Sequence, residues 1–367
     1  MIYHTQDGGI NRITNIIHLH NYQNPSPEEC GVYDRFIHSL GKSRAYNDTF
    51  NVLNKYSSIA WMDVSDTLPL HKLFAASTAE IPELLENRIG ELLKEHQHLT
   101  VLWSGGYDST TVVSAMLKYG VPYDRYAILF NNGSIEESPL FYEFMVRNKL
   151  PMINLQDASL YEYLDSYKES THYIVCAPEV FWGWSTALFV PYEKCYFESW
   201  TDAIPRHLNL NAHDADQFCA IFDEYLTHLG LQNEVTNTID LLWVYGCSAM
   251  YTQTKSHFAS ELKLDSAFRF NNSLFFGTPD FFNWGFRNRL HHTKDQIENY
   301  VYACREPERD FILSVFDSDE IRYKKKVSSQ QRELAKYRNP YITITYDTGA
   351  VKIPAEYSDF VKEIIQK

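Results

Sequence analysis

The most constraining feature of this sequence is a strand pattern that leads directly into a glycine turn and then into a helix. The run LTVLW at 99–103 is typical of a buried strand. It is followed by SGGYDST at 104–110 and by an apolar-rich helical segment over 111–117 that stops at Gly120. Adjacent glycines let a backbone bend without a Cβ clash, and a helix brings the positive end of its dipole to its first turn. The sequence therefore predicts a cradle for an anion at this turn.

The segments around this turn alternate between helix and strand. Apolar residues at helical spacing predict an amphipathic helix from about Ala79, before the strand. After the turn come a second strand over 126–130, a helix over 138–148 and a third strand near 151–155. Such alternation is typical of a parallel sheet with right-handed crossovers. We therefore expect an α/β fold whose ligand site lies at the carboxyl ends of the strands.

The turn differs from two well-known phosphate motifs. It lacks the G-x-x-x-x-G-K-[ST] pattern of a Walker A loop and the third glycine of a dinucleotide-binding fingerprint. Its hydroxyl side chains, Ser104, Ser109 and Thr110, add donors to the predicted cradle. The alternative interpretation is an ordinary strand-to-helix turn that carries no ligand.

The string S-G-G-x-D-S-[ST] resembles the pyrophosphate loop of the N-type ATP pyrophosphatases, the PP-loop superfamily. The resemblance implies a parallel-sheet, adenine nucleotide alpha-hydrolase-like domain that binds ATP and Mg²⁺ and attacks the α-phosphate. It implies that the β- and γ-phosphates are held by Ser104, Gly105, Gly106, Asp108, Ser109 and Thr110. It further places Leu102, Phe130 and Asn131 beside the nucleotide, and makes Asp108 a candidate magnesium ligand.

The distal half is similar, more loosely, to the synthetase domain of asparagine synthetases. The stretch from Lys194 to Asp202 is predicted as a strand and then a loop, at the place where that family carries an acidic loop. The resemblance makes Asp202 a second magnesium candidate, and a turn or cap residue is the alternative. Residues 272–286 resemble the "P-F-x-D" region where the helical substrate half of that family begins.

Lysines that follow this region are candidates for the cation that a pyrophosphate leaving group needs. The resemblance points to Lys294 and to the basic run at 322–326, within which we single out Lys324 and Lys326. A solvated surface loop is the alternative explanation of that run. Glutamine-using members of the family begin with a catalytic cysteine after the initiator, whereas position two here is Ile2. We therefore expect the nitrogen to come from ammonia, an amine or a separate amidotransferase partner.

These patterns divide the chain into four consecutive segments. We expect a small N-terminal α+β segment at 1–78 and the ATP-binding α/β domain at 79–210. A mostly helical substrate half of the same synthetase domain follows at 211–338, with a C-terminal hairpin and helix at 339–367.

Charge and cysteine usage exclude several classes of function. The net charge is −14, so a general binder of nucleic-acid backbone is not expected. The six cysteines are scattered without a C-x-x-C pair, which disfavours zinc ribbons and dithiol chemistry. We see no signal peptide and no apolar run of membrane-spanning length, and expect a cytoplasmic protein without membrane contact. Aromatic residues make up 15% of the chain, and we attribute them mainly to core packing, with a pocket for a flat acceptor as the alternative.

Three hypotheses about function follow. The first is an ATP-dependent ligase that adenylates a carboxylate or amide oxygen, releases pyrophosphate and forms an amide bond. The second is a nucleoside- or tRNA-modifying PP-loop enzyme, similar to the 7-cyano-7-deazaguanine synthases or to thiolation enzymes. The third is a non-catalytic regulatory protein that binds a nucleotide.

Overall fold

The structure is a computed structural model that describes residues 22–23, 31–39, 52–56, 79–155, 172–175, 190–246, 275–288, 306–323, 341–346 and 349–354. Its strands are β1 (Tyr22–Gln23), β2 (His98–Leu102), β3 (Tyr126–Phe130), β4 (Met152–Asn154), β5 (His172–Val175), β6 (Tyr341–Tyr346) and β7 (Gly349–Pro354). Its helices are α1 (Val32–Ser39), α2 (Ile81–Glu95), α3 (Tyr107–Lys118), α4 (Asn132–Glu137), α5 (Pro139–Arg147), α6 (Trp200–His207), α7 (Ala212–Leu229), α8 (Pro279–Asn288), α9 (Glu306–Leu313) and α10 (Asp319–Tyr323). Residues 238–246 are also helical. No helix among the described ranges has both the length and the apolar character that crossing a membrane requires.

The chain forms two compact units, each assembled from separate segments. The first unit contains Met1–Phe74, Gly183–Ala267 and Arg338–Lys367, and the second contains Ala75–Trp182 and Phe268–Tyr337. The units interleave along the chain, whereas the sequence-based division runs in four consecutive segments. The four segments were defined by the function expected of each, and not by spatial contacts, so that division stays a prediction.

A small parallel sheet organises the second unit and confirms the expected α/β class. Its four strands lie in the order β4-β3-β2-β5, and every neighbouring pair is parallel. The chain moves outward from β2 through β3 to β4, and β5 then pairs with the other edge of β2. The strand order therefore reverses at β2, and ligands of open α/β sheets bind outside the carboxyl ends of strands at such a point.

Helix α2 forms where the sequence predicts it, and its apolar stripe is buried. The stripe consists of Ile81, Leu84, Leu85, Ile89 and Leu92, each at most 4% exposed. The spacing of three and four residues places these side chains on one face of the helix.

The C-terminal end of α2 is held by one arginine from a later segment. Arg125 donates from Nε to the carbonyl of Gln97 at 2.5 Å and from Nη2 to the carbonyls of Leu93 and His96 at 2.9 Å each. Carbonyls at a helix end have no partner within the helix, and a cation there also interacts favourably with the helix dipole. Arg125 thus ties the end of α2 to the start of β3.

Aromatic packing dominates the described core of the first unit. The ring of Phe36 in α1 lies 5.6 Å from that of Phe218 and 5.1 Å from those of Phe222 and Tyr245. An ion pair between Arg35 and Asp214, 2.7 Å apart, joins α1 to α7 at the edge of this cluster. Within this cluster the aromatic residues pack a core, as expected.

The first unit also contains a three-stranded antiparallel sheet in the order β1-β7-β6. The pairing of β6 with β7 runs from Tyr341↔Pro354 to Tyr346↔Gly349, which confirms the C-terminal hairpin. The predicted C-terminal helix lies outside the described residues.

The strand predicted at the start of the Lys194–Asp202 stretch is wrong. The structure has a 3-10 helix over Val190–Cys195 and then α6, with a turn between them. Tyr192, Cys195 and Tyr196 are all buried, at a spacing of three and one residues that suits helical turns and not an alternating strand. Burial has overridden the β preference of tyrosine at these positions.

We expect Arg125→Ala to lower the free energy of unfolding by about 2 kcal/mol, because three carbonyls lose a charged donor. The midpoint of urea unfolding measures this loss. Arg147→Ala is the matched control, since Arg147 is exposed and forms an ion pair with Glu143, one turn away, at 2.8 Å. That exposed pair contributes about 0.5 kcal/mol or less. Equal losses in the two variants would contradict the role given to Arg125.

Candidate functional site

The glycine loop lies in the second unit, between the carboxyl end of β2 and the first residue of α3. The amide of Trp103 donates to the carbonyl of Leu129 at 2.8 Å, so the backbone stays alongside β3 for one residue beyond the strand. The chain then turns through Ser104, Gly105 and Gly106 and enters α3 at Tyr107. The predicted cradle thus lies at the strand where the sheet order reverses.

Gly105 occupies a position that only glycine fits. Its φ is +79°, in the left-handed region that other residues rarely adopt. A Cβ added there would lie 2.5 Å from the carbonyl oxygen of Ser134 and 2.8 Å from Cβ of Glu137. The loop therefore packs directly against α4, and Glu137 lies beside the glycine turn.

Hydroxyl groups fix the shape of the loop from within. Ser109 Oγ accepts the amide of Ser104 at 3.0 Å, shares a hydrogen bond with Ser104 Oγ at 3.1 Å and donates to the carbonyl of Gly106 at 3.3 Å. Ser109 is 3% exposed, whereas Ser104 is exposed. Ser109 therefore organises the loop, and Ser104 lies at its surface, where an anion can meet it.

A second set of hydrogen bonds supports the loop from behind. The indole Nε1 of Trp103 donates to Oγ1 of Thr110 at 3.0 Å, and Ser134 Oγ donates to the carbonyl of Trp103 at 2.8 Å. Thr110 is only 1% exposed. The structure thus gives Thr110 a supporting contact, and its expected contact with phosphate stays a prediction.

The residues expected beside the nucleotide form the adjoining edge of β2 and β3. Leu102 and Phe130 are buried, at 7% and 4% exposure, so their side chains belong to the core. Asn131 caps α4: its Oδ1 accepts the amide of Ser134 at 3.0 Å, and Ser134 Oγ accepts the amide of Asn131 at 3.4 Å. Because this side chain is already engaged, a nucleotide here would meet mainly backbone groups.

Asp108 lies in the first turn of α3 and is partly buried. Within the described ranges, no three His, Cys, Asp or Glu side chains form a group that could hold a metal ion. Magnesium is commonly bound through one or two carboxylates together with substrate phosphates. Asp108 supplies one such carboxylate in the first turn after the glycine loop, and its magnesium role stays a prediction.

The remaining predicted site residues are Asp202 and three lysines. Asp202 is exposed in the first turn of α6, in the first unit, where an acidic side chain interacts favourably with the helix dipole. Its magnesium role stays a prediction. Lys294, Lys324 and Lys326 lie outside the described residues.

Sequence reasoning missed the contacts that Tyr107, Glu320 and Ser134 make. Tyr107 Oη donates to the carbonyl of Ile321 at 2.9 Å, and Glu320 binds the start of α5. No sequence signal links these segments, because they are separated by more than 150 positions. The capping role of Ser134 could have been predicted from the sequence, because Asn131-x-x-Ser134 after a strand is a helix-capping pattern.

Two cysteines belong to the described part of the chain, Cys195 and Cys219, and both are free thiols. Burial raises the pKa of each thiol above its ordinary value, and nearby carboxylates add to that shift. A raised pKa lowers the thiolate fraction near neutral pH, so these two thiols are poor nucleophiles.

Comparisons with known proteins found no relative. No family model, curated protein or solved structure matches this chain. The likeness to the PP-loop superfamily therefore depends on the loop sequence.

We expect Gly105→Ala to destabilise the protein by about 3 kcal/mol or more, because the variant combines left-handed strain with a backbone clash. Alanine variants at two other glycines separate the cost of strain from the cost of the clash. Gly120 has φ +65° but open space around its Cβ position, and Gly90 lies within α2 with no neighbour closer than 4 Å.

Chemical unfolding of the three alanine variants measures their free energies of unfolding and tests the expected ranking. Gly120→Ala should cost about 1–2 kcal/mol from strain alone, and Gly90→Ala should stabilise by about 0.5–1 kcal/mol. A cost for Gly105→Ala no larger than that for Gly120→Ala would show that the contact with α4 is unimportant.

Proposed function

We propose that this protein is an ATP-dependent ligase that adenylates a carboxylate and then forms an amide bond, in the manner of asparagine synthetases. One observation carries the proposal: a glycine loop of SGGxDS[ST] sequence begins a helix at the strand where a parallel sheet reverses its order. That combination provides backbone donors, exposed hydroxyl and a helix dipole at the edge where such sheets bind ligands.

In the first step the loop holds the β- and γ-phosphates of ATP. Amides of the glycine turn and the hydroxyl of Ser104 donate to the phosphate oxygens, while Ser109 keeps the turn in shape. A carboxylate oxygen of the substrate attacks the α-phosphorus, and the bond from that phosphorus to pyrophosphate breaks. The protein contributes by holding the two reactants in line, which can account for much of the barrier reduction.

Charge compensation is the main electrostatic demand of this step, because pyrophosphate leaves with its negative charge. Magnesium bound with ATP would supply part of this compensation, and Asp108 would hold that ion. No lysine occurs within 104–110, so the cation must come from elsewhere in the chain. We assign this role to Lys324 and Lys326, with Lys294 as a further candidate.

The position of α10 supports this assignment. The carbonyl of Ile321 accepts a hydrogen bond from Tyr107, the residue with which α3 begins. Lys324 is three residues further on, a span of at most about 10 Å of extended chain. The assignment of Lys324 thus depends on its closeness in sequence to a residue that binds α3.

In the second step an amine nitrogen attacks the acyl carbon, the bond to AMP breaks and the nitrogen loses a proton. The products are an amide and AMP. Ammonia, an amine substrate or a separate amidotransferase supplies the nitrogen.

Exchange of labelled pyrophosphate into ATP tests the proposal, because this assay needs the acid but not the amine. Pools of amino acids and other carboxylic acids, with Mg²⁺, should include one that supports exchange. Asp108→Asn should lower that exchange by about a hundredfold or more, because the variant lacks the carboxylate proposed to hold magnesium at the phosphates. Asp223→Asn, an exposed acid on α7, is the control and should leave exchange unchanged.

Other outcomes would redirect the assignment. Pyrophosphate release that requires tRNA or a nucleoside would indicate a base-modifying enzyme. Tight ATP binding without exchange or pyrophosphate release, for any substrate, would indicate a regulatory nucleotide-binding protein. Exchange that persists in Asp108→Asn would remove the glycine loop from the mechanism.

A further inference from the structure

The buried hydroxyl of Ser134 contacts two segments of the candidate site at once. Its Oγ donates to the carbonyl of Trp103, the residue directly before the glycine loop, at 2.8 Å. The same Oγ accepts the amide of Asn131, the first residue after β3, at 3.4 Å. Ser134 is 4% exposed, so water does not readily replace these contacts. One side chain thus joins the chain that leaves β2 to the chain that leaves β3.

The backbone of Ser134 contacts the same two segments. Its amide donates to Oδ1 of Asn131 at 3.0 Å, which completes the cap of α4. Its carbonyl oxygen lies 2.5 Å from the position that a Cβ on Gly105 would take, so it packs directly against the glycine turn. Ser134 therefore cannot shift without altering its contacts with both segments.

The two segments bind different parts of ATP in the proposed function. The glycine turn holds the pyrophosphate part, and the edge formed by Leu102, Phe130 and Asn131 borders the nucleoside part. The pairing of β2 with β3 extends to Leu102↔Leu129, and Ser134 joins the two segments beyond that pair.

We propose that Ser134 is a positioning residue that couples the nucleoside and pyrophosphate halves of the ATP site. The inference rests on the proposed function and adds the means by which the two halves act together. A ligand in one half orders the segment that it touches and, through Ser134, the other segment as well. The second ligand then loses less entropy on binding. Such coupling is reciprocal, so each ligand raises the affinity for the other by the same factor.

Adenosine and inorganic pyrophosphate with Mg²⁺ test this coupling, because they represent the two halves of ATP without a covalent link. Calorimetry on the full chain measures the affinity for pyrophosphate with and without saturating adenosine. Adenosine should raise that affinity about fivefold or more in the parent protein. In Ser134→Ala the factor should fall below about twofold, because the hydroxyl that joins the two segments is absent.

Ser138→Ala is the matched control. Ser138 is also a buried serine of the same unit, but its hydroxyl donates to the carboxylate of Glu320. This variant should keep the parental coupling factor, because the hydrogen bond that it loses joins neither Trp103 nor Asn131. An equal loss of coupling in Ser138→Ala and Ser134→Ala would contradict the role given to Ser134.

The coupling factor separates positioning from general damage. A merely structural role of Ser134 would weaken the binding of both ligands and leave the factor unchanged, and that result would overturn the inference. Melting temperatures without ligand identify a variant that does not fold. Ser134→Cys then replaces Ser134→Ala and should also lose the coupling, because a thiol is only a weak hydrogen-bond donor and acceptor.

The parent protein alone distinguishes failure of the inference from failure of the proposed function. Binding of ATP and pyrophosphate, with an affinity for pyrophosphate that adenosine does not change up to its solubility limit, would refute the coupling and leave the proposed function intact. Failure to bind either ATP or pyrophosphate would refute both together.

Discussion

The close contact between Gly105 and α4 is the constraint on which the carboxyl end of the parallel sheet depends. The turn after β2 and the helix after β3 approach so closely that a single methyl group would meet the carbonyl of Ser134 at 2.5 Å. Two successive crossover connections are thus packed backbone to backbone. The contact lies one residue before Gly106, the N-cap of α3.

Side-chain hydroxyls stabilise this arrangement because backbone groups beyond a strand end lack ladder partners. Ser134 satisfies the carbonyl of Trp103, the indole of Trp103 is satisfied by Thr110, and Ser109 binds the amide of Ser104. These bonds lie behind and within the loop, and Ser104 lies at its exposed surface. A chain with a net charge of −14 can therefore offer a local anion site through amides and a helix end, without a basic surface.

Much of the second unit follows from local patterns. The apolar stripe of α2, the uniformly buried β3 and the glycine turn before α3 are visible as periodicity and residue type over a few positions. Local patterns were less reliable in the first unit. Around Cys195 the aromatic-rich sequence favours a strand, but packing in the core of that unit produces helical turns. The likeness of the loop to PP-loop enzymes was also available from the sequence, whereas the supporting roles of Ser109 and Thr110 were not.

The sequence by itself determined the strand, the turn and the helix that frame the candidate site, because each depends on backbone preferences of neighbouring residues. Only the tertiary structure decided that Glu320 caps α5 and that Tyr107 binds the backbone of α10. The physical reason is that a hydrogen bond between distant segments depends on how packed elements bring them together. Such a bond leaves no periodicity in the sequence.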